Sequence, residues 1–161
     1  MEKMVQYELL RPTKGLKTQK RKMKTLVHKN ITWIDFEDIG DADILHLQEN
    51  FNIHPLAIEE LVTPTYQPKV VQYDNCLFLS IHIPLFDVEN RTTYPGELDI
   101  ILNGDYLITS HQKSIYQLTH FFDELDASVG KRKLFFEETP AHLMHHLIEI
   151  LLNSCFPRLQ H

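Results

Sequence analysis

The chain has 161 residues, 43% hydrophobic and 24% charged, with a formal net charge of −6, values ordinary for one folded soluble domain with a proper core. Its most apolar run, residues 76–86, is broken by Ser80, His82 and Pro84 and falls far short of the ~20 residues that a membrane-spanning helix needs. Cys76 and Cys155 are too few and too far apart for a disulfide framework or a cysteine-based zinc site, so both are expected as reduced packing residues.

Residues 4–9 have the alternating, β-branched character of a strand, and Pro12 with Gly15 breaks it into a basic loop. Residues 25–28 predict a second short strand. Over residues 32–36 the alternation is clean: Trp33 and Asp35 fall on one side, Ile34 and Phe36 on the other, as in a core strand. Gly40 and Asp41 supply a turn and an N-cap for an amphipathic helix carrying Ile44, Leu47, Gln48 and Phe51. His54 stands before Pro55, which suits the first helical position because its missing donor would be unpaired there anyway. That second helix runs to about Val62, where Thr63-Pro64-Thr65 stops it.

Residues 70–73 and 77–83 predict consecutive strands joined by a tight turn at Asp74-Asn75. A further hairpin, residues 98–102 and 106–110, crosses Asn103-Gly104-Asp105. Ile115, Leu118, Phe122 and Leu125 recur at helical spacing, and Thr139-Pro140 opens a last helix built on Leu143, Leu147, Ile150 and Leu151. Gly130-Lys131-Arg132-Lys133 is read as the break between an α/β domain, residues 1–130, and a helical segment, residues 131–161. Strands in hairpins with helices early and late predict an α/β fold: a three-layer α/β/α sandwich around a mixed, mainly antiparallel sheet of six to seven strands.

Catalytic patterns are missing from the sequence. There is no glycine-rich phosphate loop, nucleophile elbow or kinase signature, and Ser110-His111 lacks triad partners, so no enzyme is expected. The ten histidines raise the question of a transition metal. His142 and His146 stand four residues apart on one predicted helix and can share a face, with packing or solvent exposure as the alternative for both. Glu59 and Glu60 are adjacent on a helix and diverge by about 100°, so at most one faces a given site. Glu59 is expected to pair with Lys69. Residues 1–30 hold nine Lys or Arg against two Glu, while the remainder holds seven against twenty acids. Without an aromatic platform or recognition helix, Lys17, Lys20, Arg21, Lys22 and Lys24 read as a solvated loop, and no nucleic acid is expected.

Two blocks carry a resemblance: His54-Pro55-Leu56-Ala57-Ile58-Glu59-Glu60, then Gln67-Pro68-Lys69-Val70-Val71-Gln72-Tyr73. With the apolar strand 76–84, the hairpin 97–111 and the closing Asn153-Ser154-Cys155-Phe156-Pro157-Arg158-Leu159, the chain resembles the N-terminal cytoplasmic domain of CorA-type magnesium transporters. The resemblance covers nearly everything after Thr32. It implies a mixed sheet between helical layers leading into a stalk helix, a pentameric full-length protein on the cytoplasmic side of a cell membrane, and regulation by the transported ion. Mg2+ is the implied ion, with Co2+, Ni2+ or Zn2+ as others. By position Glu60 inherits the family's regulatory Mg2+ contact at a protomer boundary, where the family usually has Asp; its longer arm moves the carboxylate by one methylene, and a solvent-facing Glu without ligand is the alternative. The family's pore helix, its Gly-Met-Asn motif and the acid that would partner Glu60 do not occur in these 161 residues, so the expectation is a piece cut before the pore, monomeric or dimeric by itself. A ZntB-like zinc transporter domain and a free-standing cytosolic scaffold or nucleic-acid binder remain as competing readings.

Overall fold

A computed structural model of the chain describes residues 22–112, 115–136 and 139–155. Along these residues run β1 (Lys22–His28), β2 (Ile31–Glu37), α1 (Asp41–Asn50), α2 (Pro55–Glu60), β3 (Lys69–Gln72), β4 (Leu77–Asp87), β5 (Thr92–Leu102), β6 (Tyr106–His111), α3 (Tyr116–Ala127), α4 (Val129–Phe135) and α5 (Pro140–Cys155). The strand expected at residues 4–9 lies outside the described residues. The six described strands form one sheet in the order β1-β2-β6-β5-β4-β3. Only the β2–β6 pair is parallel among them; the other four are antiparallel. The fold is therefore the expected α/β sandwich with a mixed, mainly antiparallel sheet.

Alternation along the strands builds two separate cores. Leu26, Trp33, Leu98, Ile100 and Leu107 meet Leu118 and Phe122 of α3 and Leu143, Leu147 and Leu151 of α5 on one face. On the other, Ile34, Phe36, Phe78, Ile101 and Ile108 are covered by Leu47, Ala57 and Ile58 of α1 and α2. Trp33 and Ile34, neighbours in sequence, thus belong to opposite layers, as a period of two demands. Leu143, Leu147 and Leu151 sit in the same core as the strands, so α5 is packed on the sheet.

At the parallel seam, a polar chain runs through the buried face. Trp33 Nε1 donates to Thr109 Oγ1 at 3.0 Å, and that hydroxyl donates to Asp35 Oδ1 at 2.6 Å. His111 Nε2 lies 3.4 Å from the Asp35 carboxylate. Asp35 and Thr109 are register partners, so slipping β2 against β6 would leave these buried groups unpaired, each at about 1–3 kcal/mol.

Lys22 and Lys24, read as part of a solvated loop, lie in β1, and Lys24 Nζ donates to Asp123 Oδ1 at 2.7 Å. Two further expectations about the elements need correction. The strands predicted to end at residue 83 and to begin at residue 98 continue as a long β4–β5 hairpin, in which Pro84 faces Pro95. Neither nitrogen can donate, yet the pair is tolerated because β3 reaches only to Ser80 and β6 only to Asp99, leaving this half of the hairpin without a further strand on either flank. Close packing across it explains Gly96: a Cβ there would overlap the Leu85 side chain. The predicted break at residues 130–133 is instead helical and belongs to α4. Ser128 caps it, its Oγ accepting the Lys131 N–H at 3.3 Å, and Arg132 reaches back to the Leu125 and Asp126 carbonyls at 3.1 and 2.7 Å. A single glycine in a helix costs only about 1 kcal/mol, less than the cap and these charge-assisted bonds supply.

A cavity test follows from the two-sided sheet. Leu107→Ala, at a fully buried position, is expected to destabilise the chain by about 2–5 kcal/mol. Val27→Ala, on the edge strand and 55% exposed, should change stability by no more than about 0.5 kcal/mol; urea unfolding of both variants makes the comparison.

Candidate functional site

The short helix α2 owes its start to His54 and Pro55. His54 Nδ1 accepts the Leu56 N–H at 3.3 Å, and the ring stacks on Tyr73 with centroids 4.6 Å apart. Ala57, Ile58 and Leu61 are buried against the sheet, which turns Glu59 to solvent and leaves Glu60 half-buried at the rim. Lys69 at the start of β3 places Nζ 2.5 Å from Glu60 Oε2, with the two side chains 36% and 23% exposed. The ammonium also lies 5.6 Å from the Phe78 ring centroid, a cation–π distance. Glu60, and not Glu59, is therefore the partner of Lys69: residues one apart on a helix point in different directions, and of these two only Glu60 faces β3. The pairing offsets an unfavourable placement, because a carboxylate at a helix C-terminus meets the negative end of the dipole. Tyr73 is raised above the ordinary tyrosine value, first by burial and then by the Glu60 charge.

After α2 the chain folds back over the sheet. The Thr65 N–H donates to Glu97 Oε1 at 2.7 Å, and the Thr65 carbonyl meets His82 Nε2 at 2.8 Å; His82 and Glu97 are themselves register partners. Beneath this clamp lies a pocket of about 80 Å³ lined by Asp38, Glu97, Asp99, Ser110 and His111 together with residues 61–64. Ser80, Asp99 and Ser110 form a row across β4, β5 and β6, and all three are buried. Asp99 Oδ1 has no hydrogen-bond partner among the described residues. Burial pushes the Asp99 carboxyl up to about 7; the Ser80 hydroxyl lowers it in part, and the Glu97 and Glu60 charges raise it further.

On the opposite side of the sheet, Thr139 Oγ1 caps α5 by accepting the His142 N–H at 3.2 Å. His142 and His146 come together as their spacing suggests, Nε2 to Nε2 at 2.9 Å. This pair and Glu60 lie on different layers, so the residues singled out in the sequence make two separate places. Among the described residues, no helix is long and apolar enough to cross a membrane.

The sequence profile of the CorA-like Mg2+ transporter protein family matches residues 28–161. The chain belongs to this family. It is 27% identical over 125 residues to YfjQ of Bacillus subtilis (strain 168), whose name places it among metal ion transporters, covering 78% of this chain and 37% of that one. It is 23% identical over 131 residues to the cobalt/magnesium transport protein CorA of Thermotoga maritima, covering 80% of this chain and 36% of that one. The fold resembles the soluble domain of CorA from Methanocaldococcus jannaschii, with a TM-score of 0.67 at 19% identity over 81% of this chain and 50% of that one. The CorA-like chain therefore spans a little over a third of the length of the curated relatives it matches.

Sequence reasoning missed Asp99. Its signal was available: Ser80, Asp99 and Ser110 are polar residues at inward positions of otherwise apolar strands. Unfolded, an Asp titrates near ~3.9, whereas folded Asp99 keeps its proton to about 7. Its stabilising contribution is thus complete below ~4 and is lost as the pH rises through 7, at up to ~1.4 kcal/mol per pH unit. From pH 5 to pH 8 the CorA-like chain is expected to lose roughly 3 kcal/mol on this account, and Asp99→Asn should remove that share of the slope. Urea midpoints of both proteins at the two pH values measure it.

Proposed function

We propose that this chain is the N-terminal cytoplasmic domain of a CorA-like divalent-cation transporter, and that Glu60 reports the concentration of the transported ion to the rest of the polypeptide. The observation that carries the reading is the state of Glu60. By the resemblance its carboxylate falls where the family usually has a sensing Asp; it is half-buried at a rim and already holds a cation, the Lys69 ammonium. A group poised in this way becomes a switch when a second carboxylate is brought up from a neighbouring protomer. Two carboxylates about 4 Å apart repel by roughly 4 kcal/mol at an effective dielectric of 20, and a hard divalent cation with oxygen ligands reverses the sign. Occupied sites then hold protomers together and empty sites let them splay, so ion concentration shifts the population. Repetition around a ring steepens the response.

On this reading the α/β domain, α4 and α5 included, does the sensing, and the chain leads from α5 toward the stalk, which supplies the partnering acid. The full-length assembly is a homopentamer with this domain on the cytoplasmic side, and the isolated chain is a monomer or dimer. Mg2+ is the ion carried and sensed, with Co2+ as the second candidate. The domain works by binding and changing assembly, not by catalysis.

Lys69 makes the reading testable, because Mg2+ must displace its ammonium from Glu60. In Mg2+ titrations of the full-length protein, which carries the stalk acid, followed by hydrogen exchange and by solution mass, protection over residues 55–72 is expected to rise with concentration. Glu60→Gln should abolish the effect, and Lys69→Ala should move it to lower Mg2+ concentration by a few-fold. A response untouched by Glu60→Gln, or no response at any Mg2+ concentration, would remove Glu60 from the sensor role.

A further inference from the structure

We infer that α5 carries a second metal site, built from imidazole, that takes a borderline transition ion such as Zn2+ or Ni2+ and not Mg2+. The inference goes beyond the reading of Glu60 and uses none of its residues.

The site begins with a division of labour around the helix. Leu143, Leu147 and Leu151 are buried in the core. His142, His145, His146 and Glu149 follow the spacing i, i+3, i+4, i+7, which at ~100° per residue confines them to an arc of about 100° on the far side from those leucines. Within that stripe the ligand atoms converge. His142 Nε2 and His146 Nε2 are 2.9 Å apart with ring centroids at 4.6 Å. Ligand atoms of His145, His146 and Glu149 lie within 4.8 Å of one another.

Three further contacts fit a metal better than two idle surface rings. Glu149 Oε2 lies 3.6 Å from His146 Nδ1, longer than a hydrogen bond but within a small side-chain shift of one, and once closed that contact would orient the imidazole and leave its Nε2 lone pair for the ion. Phe135 of α4 stands edge-on to the His146 ring, centroids 5.0 Å apart at 86°, and restricts its rotation. Thr139 fixes the first turn of the helix at His142. Tetrahedral Zn2+ with Zn–N bonds of ~2.0–2.1 Å separates two imidazole nitrogens by about 3.3–3.4 Å, so the pair needs to open by only a few tenths of an ångström. His142 and His146 are then the two protein ligands through Nε2, Glu149 is the acceptor on His146 Nδ1, and water takes the remaining positions. Imidazole suits Zn2+ and Ni2+, whereas Mg2+ prefers carboxylate, carbonyl and water oxygens. The site should therefore ignore Mg2+.

Calorimetric titration of the 161-residue chain with ZnCl2, in buffer containing millimolar MgCl2, tests the assignment. One equivalent of Zn2+ is expected to bind. His142→Ala and His146→Ala should each weaken it at least tenfold, Glu149→Gln by about tenfold, and His145→Ala or His46→Ala by no more than two- to threefold. Imidazole proton resonances of the unaltered chain give a readout independent of any variant's folding: addition of Zn2+ should shift those of His142 and His146 first. No binding, binding that survives both His142→Ala and His146→Ala, or loss on His145→Ala but not on His142→Ala would overturn the site. None of these outcomes bears on the Mg2+ response of Glu60, so failure of one proposal leaves the other standing on its own test.

Discussion

A sheet buried on both faces is the constraint from which the rest of this molecule follows. Every strand through the centre must present apolar side chains upward and downward, so Trp33, Leu107 and Ile100 fill one core while Ile34, Ile108 and Ile101 fill the other. Neither core can be left open, which calls for a helical layer on each side: α1 and α2 over one, α3 to α5 over the other. The functional places are then determined by where those layers end. Glu60 lies at the rim of the α2 layer, and the histidine stripe lies on the outer surface of the α5 layer.

Polar residues inside such a sheet are tolerated only with partners or at a functional edge. The Trp33–Thr109–Asp35–His111 chain is of the first kind. Its members are buried and joined across the single parallel pairing among the described strands, where register would otherwise rest on apolar contacts alone. Asp99 is of the other kind. It is buried beside Ser80 and Ser110 and opens onto a small polar pocket under the α2–β3 connection. Glu60 and Lys69 stand at the outer end of that connection, and both charges act on Asp99. The charge of Glu60 therefore reaches the interior of the sheet electrostatically.

Much of the fold was legible because amphipathic periods report burial directly. The alternation in residues 32–36, the Asp74-Asn75 and Asn103-Gly104-Asp105 turns and the leucine spacing of α5 all correspond to the observed elements. Two signals misled for local reasons. The strands read as ending at residue 83 and beginning at residue 98 run on through Pro84 and Pro95, which face each other where no further strand flanks the hairpin. Gly130 with its basic neighbours read as a linker, yet Ser128 caps a helix there and Arg132 ties it to the end of α3.

The sequence alone determined the fold class, the family and the two candidate positions, Glu60 and the His142–His146 pair, because periodicity, turn chemistry and motif order are properties of neighbouring residues. Tertiary structure decided which groups meet. Lys69 chose Glu60 over Glu59 only once β3 was laid beside α2, and the Asp99 carboxyl acquired its high proton affinity only when three strands and a loop removed it from water. Glu149 and Phe135 became supports for His146 only when α4 and α5 were packed together. Contacts between elements far apart in the chain depend on register and layer packing, and no local pattern encodes those distances.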